Sequence, residues 1–180
     1  MSERKFLFVL GSARRDGNTE RLARLAAEQL GDDVEQRWLW LGDVPQEPFR
    51  DLRYPEEVER HPRGTEKLLL DATLEATDIV IASPTYWYSV SSSTKRYLDN
   101  WSNWERVPGF MDAMATKRLW AITALADEPE QAAALLDMLR RGARYLKMTW
   151  SGALVGVGNR PGDVLNDTTA LAEAKTFFTP

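Results

Sequence analysis

Two short stretches of the chain carry residues that could do chemistry. The first is Gly11-Ser12-Ala13-Arg14-Arg15-Asp16-Gly17-Asn18-Thr19, set between an apolar run and a helical pattern. Backbone N–H groups at a helix N-terminus, two glycines for close approach, hydroxyls on Ser12 and Thr19 and the Arg14 guanidinium together make an anion cradle. The competing reading is a capped turn with Asn18 as its N-cap. Five residues separate the glycines where the nucleotide P-loop has four, and Asn18 stands where that motif carries its lysine. Losing that cation disfavours NTP hydrolysis. No G-x-G-x-x-G follows the strand either, so the dinucleotide fingerprint is missing. A terminal monophosphate fits best.

The second stretch is Ser83-Pro84-Thr85-Tyr86-Trp87-Tyr88-Ser89-Val90. Pro84 fixes φ and removes a donor, which ends a strand ladder and turns the chain over the sheet. Beyond it lie backbone N–H groups, the Thr85 hydroxyl and three consecutive aromatics. A planar ligand would find a flat surface and edge donors there. The alternative is a hydrophobic plug over the sheet end, but three aromatics in a row cannot all face one core.

These loops need a frame, and the hydrophobic periodicity supplies one. Phe6–Leu10 is a short unbroken apolar run, as in a strand buried on both faces. Asn18–Gly31 carries Leu22, Leu25, Ala26 and Leu30 at helical spacing, with Gly31 as a stop. Val34–Leu41 reads as a strand with Trp38 and Trp40 on one face. Helices follow at Glu66–Ala76, at Ser92–Trp104 with Tyr97, Trp101 and Trp104 on one stripe, at Pro129–Arg141, and at Asp167–Phe178. Strands lie between them at Ile79–Ala82, Arg118–Ala124 and Met148–Val157. Gly142, behind Arg140 and Arg141, is read as the end of the fourth helix. Strands alternating with helices mean a parallel sheet covered on both sides, in one domain spanning residues 1–180. Ligands of such sheets bind outside the carboxyl ends of the strands, which singles out loops 11–19, 83–91 and 124–128. Residues 42–65 fit no element. They form a long irregular excursion, rich in Pro and charge, that is functional or ordered against another surface.

Composition excludes much else. The chain of 180 residues has no cysteine, one histidine and a net charge of −4. Disulfides, Cys-ligated zinc, iron–sulfur clusters and a thiol nucleophile are ruled out, and multi-His metal sites lack material, so no metal is expected. There is no basic block for a phosphate backbone, so no nucleic-acid partner is expected. No apolar run approaches the about 20 residues that span a bilayer, and Phe6–Leu10 is too short for a signal-peptide core. The expectation is a cytoplasmic protein with no membrane insertion. His61 reads as a solvated loop residue. A receiver domain would need an aspartate ending the third strand and a lysine ending the fifth. Pro84-Thr85 and Gly156-Val157-Gly158 offer neither.

Gly11-Ser12-x-Arg14-x-x-Gly17-Asn18-Thr19, then Ala82-Ser83-Pro84-Thr85-Tyr86-Trp87, then Lys95 and Leu98-Asp99-Asn100, resemble the NAD(P)H-dependent FMN reductases. More broadly they are similar to the flavodoxin-like NAD(P)H:quinone oxidoreductases. The resemblance implies a flavodoxin-like three-layer α/β sandwich whose five-stranded parallel sheet has the order 2-1-3-4-5. It implies FMN as cofactor and NADPH or NADH as co-substrate. It places the FMN phosphate at Ser12, Arg14, Asn18 and Thr19, and the flavin ring and ribityl chain at Pro84, Thr85, Tyr86 and Trp87. Thr123 and Ala124, in a loop lacking the glycines common there in the family, would close the third side. The family branch with an iron–sulfur cluster is excluded for want of cysteine. No catalytic side chain is required, because flavin carries the hydride chemistry.

The resulting expectation is hydride transfer from NAD(P)H through FMN to a small acceptor: a quinone, free flavin, azo or nitro compound. The alternatives are a flavodoxin-type electron carrier, or a non-redox domain that binds a phosphorylated ligand or a protein. The surplus of Trp and Tyr around 86–104, the long excursion and the resemblance together lead us to expect a homodimer with the flavin site near its interface.

Overall fold

The computed structural model describes residues 4–52 and 61–179, so Pro55 and the middle of the 42–65 excursion lie outside the described residues. Its elements in chain order are β1 (Lys5–Leu10), α1 (Asn18–Ala27), β2 (Glu35–Trp40), α2 (Gly64–Glu75), β3 (Asp78–Ala82), α3 (Ser92–Trp104), α4 (Phe110–Ala115), β4 (Arg118–Leu125), α5 (Ala133–Tyr145), β5 (Thr149–Val157) and α6 (Thr168–Ala174). Short 3₁₀ turns at Pro129–Ala132 and Asp163–Asn166 lead into α5 and α6. All four strand pairings are parallel, in the order β2-β1-β3-β4-β5. That is the flavodoxin-like arrangement.

Side-chain alternation splits the strands between two apolar layers. Leu7, Val9, Ile79, Ile81, Leu119 and Ala121 face the layer covered by α2, α3, α4 and α5. Phe6, Phe8, Val80, Trp120 and Ile122 face Leu22, Ala26 and Phe178 on the other side. Tyr97, Trp101 and Trp104 are all buried within the chain's own first layer, so they are packing residues. Trp38 stacks on its β1 neighbour Phe8, with ring centroids 4.0 Å apart.

Four elements differ from the sequence reading; one is α6, which stops at Ala174 and not Phe178, with i→i+3 bonds from Thr176 and Phe177 beyond it. Helix α5 passes through Gly142 to Tyr145, because Ala143 and Leu146 prolong the buried stripe begun by Leu135 and Leu139. Helix α1 ends at Ala27, and i→i+3 bonds from Gln29 and Leu30 tighten the chain before Gly31. Helix α4 was not anticipated, since six residues are too few to show a period. The described part of the excursion is anchored on α3. The Asn103 side chain donates to the Arg50 carbonyl and accepts from the Leu52 N–H, while Gln46 donates to the Ser93 carbonyl.

At the amino ends of the strands, Asp78 accepts both Arg4 Nε and Nη2, the Trp120 indole N–H at 2.9 Å and the Thr77 hydroxyl. Arg4 also donates to the Phe178 carbonyl, so this knot closes the carboxyl-terminal segment over the sheet. Burial pushes the Asp78 carboxyl up, but these donors outweigh it and hold it below the ordinary 3.8. The carboxyl ends of the strands lie opposite.

Candidate active site

Strands β1, β3 and β4 hand their ladder on into the loops that follow them. Gly11 donates to the Ala82 carbonyl, Ser83 to Ile122 and Thr85 to Ala124. Gly11 must lack a side chain: a Cβ there would lie 1.8 Å from the Thr94 hydroxyl on α3. The loops at 11–19, 83–89 and 124–126 are thereby drawn to one end of the sheet.

The first loop ends at Gly17, which caps α1 with no side-chain hydrogen bond. The N–H groups of Asn18, Thr19 and Glu20 therefore have no intrahelical or capping acceptor; the first helical bond runs from Arg21 N to Gly17 O. Asn18 is not the cap. Its Oδ1 accepts from Gly162 N at 2.8 Å and its Nδ2 donates to the Arg160 carbonyl at 3.0 Å. It fastens the loop after β5 to α1, and Gly158 makes room for it: a Cβ there would meet Asn18 Nδ2 at 2.7 Å.

The charges around this loop are divided. Glu20 accepts the Asp16 N–H at 2.9 Å and pairs with Arg24. Arg21 donates to the Asp16 carbonyl. Arg15 lies over the Trp40 ring, 3.3 Å from its centroid, and pairs with Asp43. Trp40 in turn donates its indole N–H to the Ser12 carbonyl at 2.7 Å, buttressing the loop from β2. Ser12 Oγ accepts the Arg14 N–H at 3.1 Å. Only the Arg14 guanidinium is exposed and without a partner among the described residues of this loop.

In the second loop Pro84 is buried, and the Thr85 hydroxyl bonds the Thr123 hydroxyl at 2.9 Å. Ser83 Oγ accepts the Ser91 N–H, tying the far end of the loop to the start of α3. Tyr86 and Ser89 exchange backbone hydrogen bonds at 2.8 and 3.1 Å around a two-residue turn. Its central residues, Trp87 and Tyr88, have φ of 49° and 63°. Such a turn favours Asn-Gly, and side chains held in the left-handed region cost of the order of 1–3 kcal/mol each. Trp87 is 94% exposed. The hydrophobic-plug reading fails on that number.

A cavity of about 250 Å³ lies between these loops. The expected phosphate residues Ser12, Arg14, Asn18 and Thr19 line one side of it. Pro84, Thr85, Tyr86 and Ala124 line the other, and Leu125, Ala126, Gly158, Asn159 and Pro161 complete the wall. Two expected residues stand outside. Thr123 is fully buried behind Thr85, and Trp87 lines a second cavity of about 210 Å³ that shares Thr85, Leu125 and Ala126 with the first. The Trp40 buttress and the β5 loop were missed at the sequence level. Gly156 and Gly158 were the only signal of the latter.

A larger depression of about 740 Å³ runs along the open edge of β5. Among the described residues it is lined by Asp163, Asp167 and Glu173 and by no Lys or Arg, and Asp163 and Asp167 accept backbone N–H groups. It suits no phosphate. Among the described residues no group of three or more His, Cys, Asp or Glu is placed to hold a metal ion.

The smaller cavity does suit a flavin mononucleotide. An uncapped helix terminus beside a free guanidinium matches a dianionic monophosphate, and the wall from Pro84 to Tyr86 presents backbone and an aromatic face to a flat ring. Comparison with known proteins agrees. The profile of the NADPH-dependent FMN reductase family matches residues 4–161. YwqN of Bacillus subtilis (strain 168), described as an NAD(P)H-dependent FMN-containing oxidoreductase, is 30% identical over 178 residues, 97% of this chain and 96% of its own. The structure of a Trp repressor binding protein from Bacillus subtilis superposes with a TM-score of 0.77 at 26% identity, covering 97% of each chain. An FMN-dependent NADH-azoreductase from Bacillus anthracis str. Ames Ancestor, solved with FMN, shares the fold at a TM-score of 0.61 and 13% identity over 96% of each chain. The chain belongs to the NADPH-dependent FMN reductase family, an oxidoreductase with FMN as cofactor and NAD(P)H as co-substrate.

Proposed function

We propose that this chain is a two-electron reductase that uses NAD(P)H to reduce a small acceptor, such as a quinone, a free flavin, or an azo or nitro compound. One observation carries the cofactor half of this reading: the α1 N-terminus is uncapped and Arg14 has no partner among the described residues, while Arg15, Arg21 and Arg24 are each engaged elsewhere. FMN, when bound, would supply the hydride chemistry between nicotinamide and acceptor. The protein's part is binding and orientation. Ser12, Arg14, Thr19 and the first N–H groups of α1 hold the phosphate, with Asn18 fixing the wall beside it. Pro84, Thr85, Tyr86 and Ala124 border the ring, and Thr123 holds Thr85 in place. The second cavity, bounded by Trp87, leaves a way in for the acceptor.

No described helix is long and apolar enough to cross a membrane. We read the site as cytoplasmic, where NAD(P)H is at hand. A homodimer belongs to the proposal on narrower grounds than the sequence suggested. Tyr97, Trp101 and Trp104 are spent on the chain's own core and residues 46–52 on α3, which leaves the exposed Tyr86 beside the flavin cavity as its support. Light scattering tests it; a monomer at full activity would remove it.

The experiment for the whole reading is steady-state NAD(P)H oxidation by FMN-loaded protein with menadione, an azo dye and free riboflavin. Turnover with at least one acceptor is expected. Tight FMN binding with no turnover on any of them would point instead to an electron carrier.

A further inference from the structure

The second cavity has a chemical character of its own. It is lined by Trp87 and Tyr88, by Asp127 and Gln131, and by the Thr85, Leu125 and Ala126 wall that it shares with the flavin cavity. The two rings are 94% and 54% exposed, so their faces are available. Asp127 Oδ1 accepts the Glu128 N–H at 2.9 Å, which anchors that carboxylate at the rim. No Lys or Arg among the described residues lines the cavity, and the sequence has none from residue 84 to 94 or from 119 to 139. Glu128 and Glu130 stand exposed beside Asp127. Electron-rich ring faces and a carboxylate with no ion pair among the described residues both attract a cation and repel an anion.

We infer that this cavity is a subsite for planar aromatic cations. Cationic dyes and N-alkylated nitrogen heterocycles enter it in preference to sulfonated or carboxylated rings of the same size. The inference rests on the flavin reading above, since it is the shared wall that makes the cavity the antechamber of the reactive ring. Asp127 acts here as a specificity determinant, through charge alone. It need not touch the flavin.

Redox-inert probes test this without relying on turnover. N-methylquinolinium, neutral quinoline and naphthalene-2-sulfonate are titrated into FMN-loaded protein by calorimetry, at low salt and in 0.5 M NaCl, with wild type and Asp127→Asn. One exposed charge pair plus one exposed ring contact should make the cation bind about tenfold more tightly than the anion at low salt. The ratio should fall below about threefold in Asp127→Asn and in high salt, while the neutral probe is unchanged within about twofold. Trp87→Ala should lower the cation's affinity in wild type and leave the anion's as it was. Equal affinities, or an anion preference, would overturn the inference. If menadione is still turned over in that case, the reductase reading stands and only the subsite falls. If FMN does not load at all, both fall together.

Discussion

Arg14 and Arg15 are neighbours of identical chemistry, and the structure gives them opposite roles. Arg15 is stacked on Trp40 and paired with Asp43, whereas Arg14 lines the cavity beside the uncapped end of α1. Replacing Arg14 by alanine should remove one charge-assisted hydrogen bond to the FMN phosphate, a contribution of about 1.5–3 kcal/mol. Because Arg14 is exposed, the lower end applies, and about 1.4 kcal/mol is tenfold in Kd. The assay is a fluorescence titration of apoprotein with FMN and with riboflavin, which lacks the phosphate. Arg14→Ala should weaken FMN about tenfold and riboflavin by less than about twofold, and raising the salt should narrow the wild-type gap between the two flavins. Arg15→Ala loses only an exposed ring contact and an exposed ion pair, so its FMN-to-riboflavin ratio should move less than about threefold. Equal losses for both flavins in Arg14→Ala, or a larger FMN effect in Arg15→Ala, would refute the assignment of the phosphate to this loop.

The turn at Trp87-Tyr88 makes a second prediction: Trp87→Gly should relieve a left-handed side chain and raise the apoprotein melting temperature by about 2–4 °C per kcal/mol released, while flavin or acceptor handling worsens. A fall in melting temperature would mean that the indole contributes to packing after all. A third concerns acid. The Asp78 carboxyl is held below its ordinary 3.8, so its contribution is fully present above that value and is lost as pH falls through the lowered one. Asp78→Asn should cost about 3 kcal/mol in urea unfolding at pH 7, the low end for a buried pair because Arg4 is partly exposed, and should flatten the further loss of stability below about pH 4. Parallel pH profiles for the two proteins would remove Asp78 from the account of acid unfolding.

What could be read in advance followed from local rules. Unbroken apolar runs such as Ile79–Ala82 announce doubly buried strands, and glycines with hydroxyls between a strand and a helix announce an anion loop. What could not be read depended on contacts across long sequence separations. Asn18 looks like an N-cap in sequence, and only the approach of residues 160–164 shows that its amide is spent there. The same holds for Trp40, whose indole reaches Ser12 from the neighbouring strand, and for Thr123, which is drawn behind Thr85. Trp87 could be placed at the sheet end from Pro84 alone. Its left-handed backbone could not, because the sequence there carries neither of the residues such a turn prefers.

The most direct test of the central claim is an anaerobic titration of the FMN-loaded protein with NADPH and, separately, NADH, followed by the flavin absorbance near 450 nm. The account predicts that one equivalent of at least one nicotinamide bleaches the bound flavin, and that admitting air or menadione restores the colour. Bound flavin that stays oxidised with an excess of both nicotinamides would contradict it.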